Sequence, residues 1–239
     1  MNAPPAPLIE LQDVGVCYRS NKSFASSQKK EIWALDRINM TVHRGEKLGV
    51  IGRNGCGKST LMRVLAGIYS IDRGRARFQP DLHVQLLSLG IGFESNLSGR
   101  ENAVLNGMLM GKSRRHMLSR VEAIYEFSEL GEFFDYPVAT YSSGMNARLG
   151  FAVAMETDPD VLLIDEVLGV GDAKFAEKSA AALLGKFTGG QTLVLISHDP
   201  HTIARLCTRA VWIEKGVTMA EGPVNEVTAR YLEHFHAPG

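Results

Sequence analysis

The segment Gly52-Arg53-Asn54-Gly55-Cys56-Gly57-Lys58-Ser59 constrains this chain more than any other, because it satisfies G-x-x-x-x-G-K-[ST] in full. Its glycines let the backbone curl so that several N–H groups point at one phosphate cluster. A helix beginning near Lys58 adds its positive dipole end. Lys58 is placed to reach β- and γ-phosphates, and the Ser59 hydroxyl to bind Mg²⁺. The flanks agree with the motif. Leu48-Gly49-Val50-Ile51 is a short apolar run entering the turn, and Ser59 to Ala66 reads as a helix with Gly67 just past its end as a C-terminal cap. Cys56 occupies a variable position, where a thiol has no required role; exposed, it is a handle for alkylation.

Around this unit the chain alternates strands and helices. Ile9, Leu11, Val14 and Val16 suit a half-buried strand ending near Tyr18, and Ile38, Met40 and Val42 suit a second. Ser20 to Glu31 between them is polar and reads as an exposed loop. His83 to Leu89 is strand-like. After Gly92 the period changes: Met117, Val121, Ile124 and Tyr125, then Met145, Leu149, Ala152 and Val153, recur at helical spacing. Two buried-type strands follow, Val161 to Ile164 and Leu193 to Ile196, with Ala173 to Phe187 as a crossover helix. That alternation implies a parallel sheet with helices packed on it. Val211-Trp212-Ile213 and a final helix around Val227 to Phe235 complete the chain.

The strand Val161-Leu162-Leu163-Ile164 delivers Asp165 and Glu166 at its C-terminal end, the edge where ligands bind in open α/β sheets. Asp165 suits a Mg²⁺ role, and Glu166 suits orienting or deprotonating an attacking water, since phosphoryl transfer asks mainly for positioning and charge stabilisation. Adjacent acids at a strand end are ordinarily just solvated; the phosphate loop upstream gives these a task. His198, in Ile196-Ser197-His198-Asp199, leaves the same kind of edge toward the γ-phosphate or the water.

Bulk properties narrow the class. The 239 residues fit one large domain or a domain with an inserted subdomain, and 45% apolar content supports a sizeable core. The 26 basic residues balance the 26 acidic ones, against the basic excess usual for non-specific nucleic-acid binding. Cys17, Cys56 and Cys207 form no Cys-x-x-Cys pair and no disulfide framework, favouring a reducing compartment. Met1 to Pro7 lacks the form of a secretory signal. No segment approaches the roughly 20 apolar residues of a membrane span.

Tyr141-Ser142-Ser143-Gly144-Met145, ahead of the helix leading to Asp165, resembles the ABC signature, usually spelled Leu-Ser-Gly-Gly-Gln. Ser-Ser-Gly alone is also an ordinary helix start, with Ser142 or Ser143 as N-cap. Phosphate loop, helical insert, signature, Asp-Glu strand and histidine strand occur here in the order of an ABC nucleotide-binding domain, over essentially the whole chain. Leu97-Ser98-Gly99-Arg100-Glu101-Asn102, Thr140 to Met145 and Asp165-Glu166-Val167-Leu168-Gly169-Val170-Gly171-Asp172 are similar to ATPase subunits of capsule, O-antigen and teichoic-acid exporters.

The resemblance implies an α/β fold: a single ABC ATPase domain over residues 1–239, with a RecA-like core sheet, an antiparallel β subdomain and a helical subdomain inserted at about 93–157. It implies ATP and Mg²⁺ as cofactors and hydrolysis coupled to export of a lipid-linked polysaccharide. Partners would be a second copy of the chain and a dimeric integral-membrane permease at the cytoplasmic face of a bacterial inner membrane. The polysaccharide would be engaged only indirectly, and nucleic acid not at all. Tyr18 would stack on adenine, with Trp33 as a rival. Gly52, Arg53, Asn54, Gly55, Cys56, Gly57, Lys58, Ser59 and Thr60 would wrap the phosphates. Ser142, Ser143 and Gly144 would close on the γ-phosphate held by the opposite subunit, and Asp172 would sit at the dimer contact. Catalysis would rest on Glu166, His198 and Lys58, and the metal on Ser59 and Asp165. The family's γ-phosphate-sensing glutamine has no clear match: Gln85 comes early, and Ser88-Leu89-Gly90-Ile91-Gly92-Phe93 occupies the segment. The chain ending at Gly239 leaves no length for the C-terminal sugar-binding domain of some O-antigen ATPases. The rivals are a non-transport ABC ATPase acting on nucleic acid or ribosomes, and a phosphate-loop GTPase or kinase, for which no Asn-Lys-x-Asp segment is found.

Overall fold

The first strand shows how local chemistry sets the framework. Ile9, Leu11, Val14 and Val16 are buried although their spacing breaks strict alternation. The break is a β-bulge: pairing with the second strand shifts between Leu11 and Val14, and Asp13 adopts a positive φ of 48°. The Asp13 N–H donates to Asn39 Oδ1 at 2.9 Å, and Asn39 Nδ2 donates back to Asp13 Oδ1 at 3.1 Å. The structure is a computed structural model that describes residues 7–20, 30–87, 92–165, 173–188 and 190–236.

The described strands are β1 (Ile9–Ser20), β2 (Lys30–Val42), β3 (Lys47–Ile51), β4 (Arg73–Phe78), β5 (Val84–Leu87), β6 (Val161–Ile164), β7 (Thr192–Ser197), β8 (Arg209–Glu214) and β9 (Val217–Pro223). They form one sheet in the order β4-β1-β2-β9-β8-β3-β7-β6-β5. Strands β8, β3, β7 and β6 run parallel, whereas β4, β1 and β2 are antiparallel. This is the α/β sheet with an antiparallel extension implied by the sequence. β2 begins at Lys30, so Lys30 and Glu31 belong to a strand and not to the polar loop. Arg19 and Glu31 face each other across β1 and β2 and pair at 3.4 Å. β4, Arg-Gly-Arg-Ala-Arg-Phe, sits at the sheet edge, with its arginines on one face and only Gly74, Ala76 and Phe78 on the other.

The described residues fall into two compact units. The first takes them from Met1–Leu86, Asp160–Glu166 and Gly190–Gly239, the second from Leu87–Pro159 and Val167–Gly189. The first holds the sheet and the helices α1 (Lys58–Leu65), α6 (Pro200–Leu206) and α7 (Val224–His236); the second holds α2 (Gly99–Leu109), α3 (Arg114–Ser128), α4 (Ser143–Met155) and α5 (Ala173–Thr188).

The first unit buries Leu48, Val50, Leu61, Leu65, Leu163, Val194 and Val211 in one core. Each such side chain contributes about 1.5–3 kcal/mol of burial. At its rim Arg209 joins the ends of several strands, donating to Glu46, Glu221 and the Thr41 carbonyl. The second unit has its own core, in which Met117, Val121 and Ile124 of α3 meet Leu149, Ala152 and Val153 of α4, the faces predicted from their spacing. Phe127, Phe151 and Phe175 pack together with ring centroids 5.8–6.2 Å apart.

Candidate functional site

β3 is buried between β7 and β8 and hands the chain to the phosphate loop. Gly52 lies against β8, and a Cβ there would collide with the Ile213 carbonyl oxygen and Cys56 Sγ. Gly57 has φ +110°, and a Cβ on it would sit 2.5 Å from the Ala34 carbonyl oxygen; only glycine meets both demands. Gly57 is also the N-cap of α1 and makes no side-chain cap bond. The first amides of α1 are therefore left by their own cap for an anion. The Lys58 ammonium is buried and donates to the carbonyls of Gly52 at 2.6 Å and Arg53 at 2.9 Å. At the other end of α1, Gly67 N–H reaches Val64 O and Ile68 N–H reaches Arg63 O. This is the Schellman closure that Gly67 led one to expect.

The loop forms one wall of a concavity of about 560 Å³, a size suited to a small-molecule ligand. Asn54, Gly55, Gly57, Lys58, Ser59 and Thr60 face it, as does Asp165 from the end of β6. Tyr18, Ile32 and Trp33 complete the opposite side, so both candidate aromatics share the cavity. The Tyr18 hydroxyl lies 3.1 Å from Thr60 Oγ1, and its ring meets the Tyr69 ring edge-on at 6.2 Å. Trp33 has one face taken by the Arg73 guanidinium, 4.8 Å from its ring centroid.

Residues Gly52, Asp165 and His198 leave β3, β6 and β7 at the same sheet edge, since those strands are parallel and adjacent. His198 is exposed there and is not among the residues lining the cavity. Its neighbour Asp199 caps α6 through the amides of His201 and Thr202. The Thr202 hydroxyl, chief among these partners, holds the Asp199 carboxyl below its usual range. Glu166 and Asp172 lie outside the described residues, as do Val167 to Gly171 and Ser88 to Ile91. Cys56 is buried, and burial pushes its thiol up. The alkylation handle is thereby corrected: the sulfur packs beneath Gly52.

The signature residues belong to the second unit. Ser142 is the N-cap of α4, its Oγ accepting from the Met145 amide at 3.2 Å. Ser142 and Ser143 are exposed. Gly144 has room around it: among the described residues, its own helix backbone aside, the nearest atom to an added Cβ is Ser142 Oγ, at 3.8 Å. Tyr141 is buried and donates to the Phe133 carbonyl at 2.7 Å, and burial raises its phenol to about 12. Gly99 is needed beside it, because a Cβ would run into the Tyr141 hydroxyl. The segment Ser98 to Asn102 is thus architectural. Ser98 and Glu101 form a reciprocal capping box on α2. Arg100 pairs with Asp135 at 2.6 Å, and the fully buried Asn102 amide ties down the carbonyls of Glu94, Leu97 and Ser98.

Sequence reasoning missed one contributor. Lys215 lines the cavity from the tip of the β8–β9 hairpin. Lys215 and Gly216 both have positive φ, 48° and 75°, as a two-residue hairpin turn requires. The Gly216 N–H donates to the Cys56 carbonyl at 2.9 Å, while its own carbonyl accepts from Asp36 N–H at 2.7 Å. The tip is therefore stapled between phosphate loop and β2. The Lys-Gly dipeptide between two strand-like runs was the available signal. Arg53, placed by the sequence among the residues that wrap the phosphates, does not line the cavity; its side chain stacks on Phe235 of α7, 5.4 Å from the ring centroid.

A family model described as ABC transporter matches residues 35–169. The chain belongs to the ABC transporter family. This ABC chain is 47% identical over 202 residues to the O-antigen export system ATP-binding protein RfbB of Myxococcus xanthus, covering 84% of this chain and 46% of that protein. It is 41% identical to RfbB of Klebsiella pneumoniae, covering 90% of this chain and 87% of that one. To the teichoic acids export ATP-binding protein TagH of Lactococcus lactis it is 41% identical, covering 86% and 44%. The chain thus spans less than half the length of the first and third of these relatives. Among solved structures, the dimeric structure of MJ0796, a bacterial ABC transporter cassette, matches with a TM-score of 0.71 at 22% identity, covering 90% of this chain and 98% of that one. The likeness identifies the fold as that of an ABC cassette.

Proposed function

We propose that the chain binds and hydrolyses ATP as the nucleotide-binding subunit of an exporter of lipid-linked cell-surface polysaccharide, of the O-antigen, capsule or teichoic-acid kind. One observation carries the nucleotide reading. A single cavity unites the loop residues Lys58, Ser59 and Thr60, the aromatics Tyr18 and Trp33, and Asp165. The loop amides and Lys58 take the phosphates. Tyr18 takes the adenine, its ring pre-set by Thr60 and one-sided stacking left open, whereas Arg73 already covers a face of Trp33. Ser59 and Asp165 offer the oxygen donors that suit Mg²⁺, which when bound neutralises charge on the transferred phosphate. Glu166 orients the attacking water, and His198 contacts the γ-phosphate.

The site is shared between two copies of the chain. Nothing among the described residues of its own subunit requires glycine at position 144, and Ser142 and Ser143 stand exposed at a helix start. Those features suit a surface that meets the γ-phosphate of a second copy, with Asp172 at the contact between sites. Triphosphate then favours the closed pair because its last phosphate gains contacts only there. The polysaccharide reading is supported by the RfbB and TagH relatives. No helix among the described residues is long and apolar enough to cross a membrane. In this reading the chain acts at the cytoplasmic face through a permease dimer, touching the polymer only indirectly and nucleic acid not at all. The test is Glu166→Gln. It should bind ATP as wild type does and lose at least about a hundredfold in turnover, the lower end of the range for general-base removal. Wild-type turnover contradicts the assignment.

A further inference from the structure

Arg53 sits inside the phosphate loop, yet its side chain and its backbone face different tasks. Its carbonyl accepts from Lys58 Nζ at 2.9 Å and from the Cys56 amide at 3.2 Å. Its guanidinium lies 5.4 Å from the centroid of the Phe235 ring, within cation–π range. Phe235 is no isolated ring. It meets Tyr231 at 5.0 Å and Trp212 at 6.3 Å, both edge-on. Trp212 also meets Tyr231 at 5.7 Å and His234 at 5.0 Å. Trp212 is buried on β8 and is the register partner of Ile51, the last strand residue before Gly52.

We propose that the aromatic end of α7 positions the phosphate loop through Arg53. A continuous chain of contacts runs from Trp212 and Tyr231 through Phe235 to the Arg53 guanidinium, and from the Arg53 carbonyl to the Lys58 ammonium. The first turn of the loop is pinned on one side by β8 at Gly52 and on the other by the α7 aromatics at Arg53. Arg53 and Phe235 are thus positioning residues: they set where the Lys58 amine rests without meeting the nucleotide through their side chains. Arg53 and Phe235 border a separate concavity with Pro200, His201 and Tyr231, and neither lines the nucleotide cavity. α7 consequently becomes a handle on nucleotide affinity, since any displacement of its end is felt at Arg53. The proposal rests on the ATP reading of the loop.

The test is calorimetric titration of the full chain with ATP and Mg²⁺. Phe235→Leu keeps an apolar side chain but removes the π face; Arg53→Ala removes the cation. Each should raise Kd about two- to fivefold, the worth of an exposed cation–π contact. The double variant should be no weaker than either single one, because both break the same link. Phe235→Tyr, which keeps the ring, should restore wild-type affinity. Unchanged Kd in Arg53→Ala, or additive losses in the double variant, would overturn the proposal. Arg53 is exposed, so its variant reports even if substitution at Phe235 disturbs packing. Wild type and Lys58→Ala are titrated alongside. No binding by wild type defeats the ATP reading itself, whereas binding lost only in Lys58→Ala defeats the inference alone.

Discussion

Gly144→Ala separates a residue needed by its own fold from one needed by a second copy. Among the described residues, its own helix backbone aside, the new methyl meets only Ser142 Oγ, at 3.8 Å, an ordinary contact. Gly144 is the second residue of α4, where alanine is the better helix former by up to about 1 kcal/mol. In a chain of this length 1 kcal/mol moves the unfolding midpoint by about 2–4 °C. The isolated variant should therefore melt at the wild-type temperature or up to about 4 °C higher. The shared site makes the opposite demand. A methyl forced into a close backbone–phosphate approach costs about 1–3 kcal/mol, which corresponds to a loss of about 5- to 150-fold in rate. Scanning fluorimetry and a phosphate-release assay on the same preparation read both quantities. A midpoint several degrees lower would show that the glycine serves its own subunit, and wild-type turnover would show that nothing approaches it.

Three further outcomes follow from the geometry. Lys215→Ala should raise the Kd for ATP about two- to fivefold, the range for an exposed ionic contact, and more at low salt than at high salt; a salt-independent, unchanged Kd would remove Lys215 from the site. A thiol reagent should label Cys17 alone in the native chain and all three cysteines after denaturation, because Cys56 and Cys207 are buried and burial raises the Cys207 thiol to about 12. The Tyr141 phenol, raised to about 12 by burial, stays protonated when folded while the unfolded chain ionises near pH 10. Stability from this group is present below pH 10 and lost as pH rises toward about 12; Tyr141→Phe should flatten that stretch of a stability–pH curve measured in urea, and an identical slope in both proteins would refute the cause.

What was legible in the sequence is what depends on local backbone chemistry. The phosphate loop, the Gly67 cap and the buried strands at Val161 and Leu193 carry their reasons within a few residues. The same holds for the helical faces at Met117 and Leu149. Other elements hid because their reasons are long-range. β4 is an edge strand whose three arginines alternate with Gly74, Ala76 and Phe78, so its period-two pattern has too little apolar content to signal a half-buried strand. The β1 bulge disguised its alternation until Asn39 was seen to hold Asp13. Lys215 reaches the cavity only because a hairpin far along the chain is stapled to Cys56. The Leu97 to Asn102 spelling was read as a family mark, and the structure gives its physical content: a capping box, an ion pair, a buried amide and room for the Tyr141 hydroxyl.

Complementation between two inactive variants tests the shared site most directly. Lys58→Ala removes the loop cation. Ser142→Asp keeps a good N-cap for α4 but turns a carboxylate toward the phosphate. Each variant alone should fail to hydrolyse ATP. Mixing them should restore turnover, because the mixed pair holds one site with an intact loop from one chain and an intact signature from the other. A mixture as inactive as its components, in preparations shown to exchange subunits, would mean that Lys58 and Ser142 do not meet across two copies.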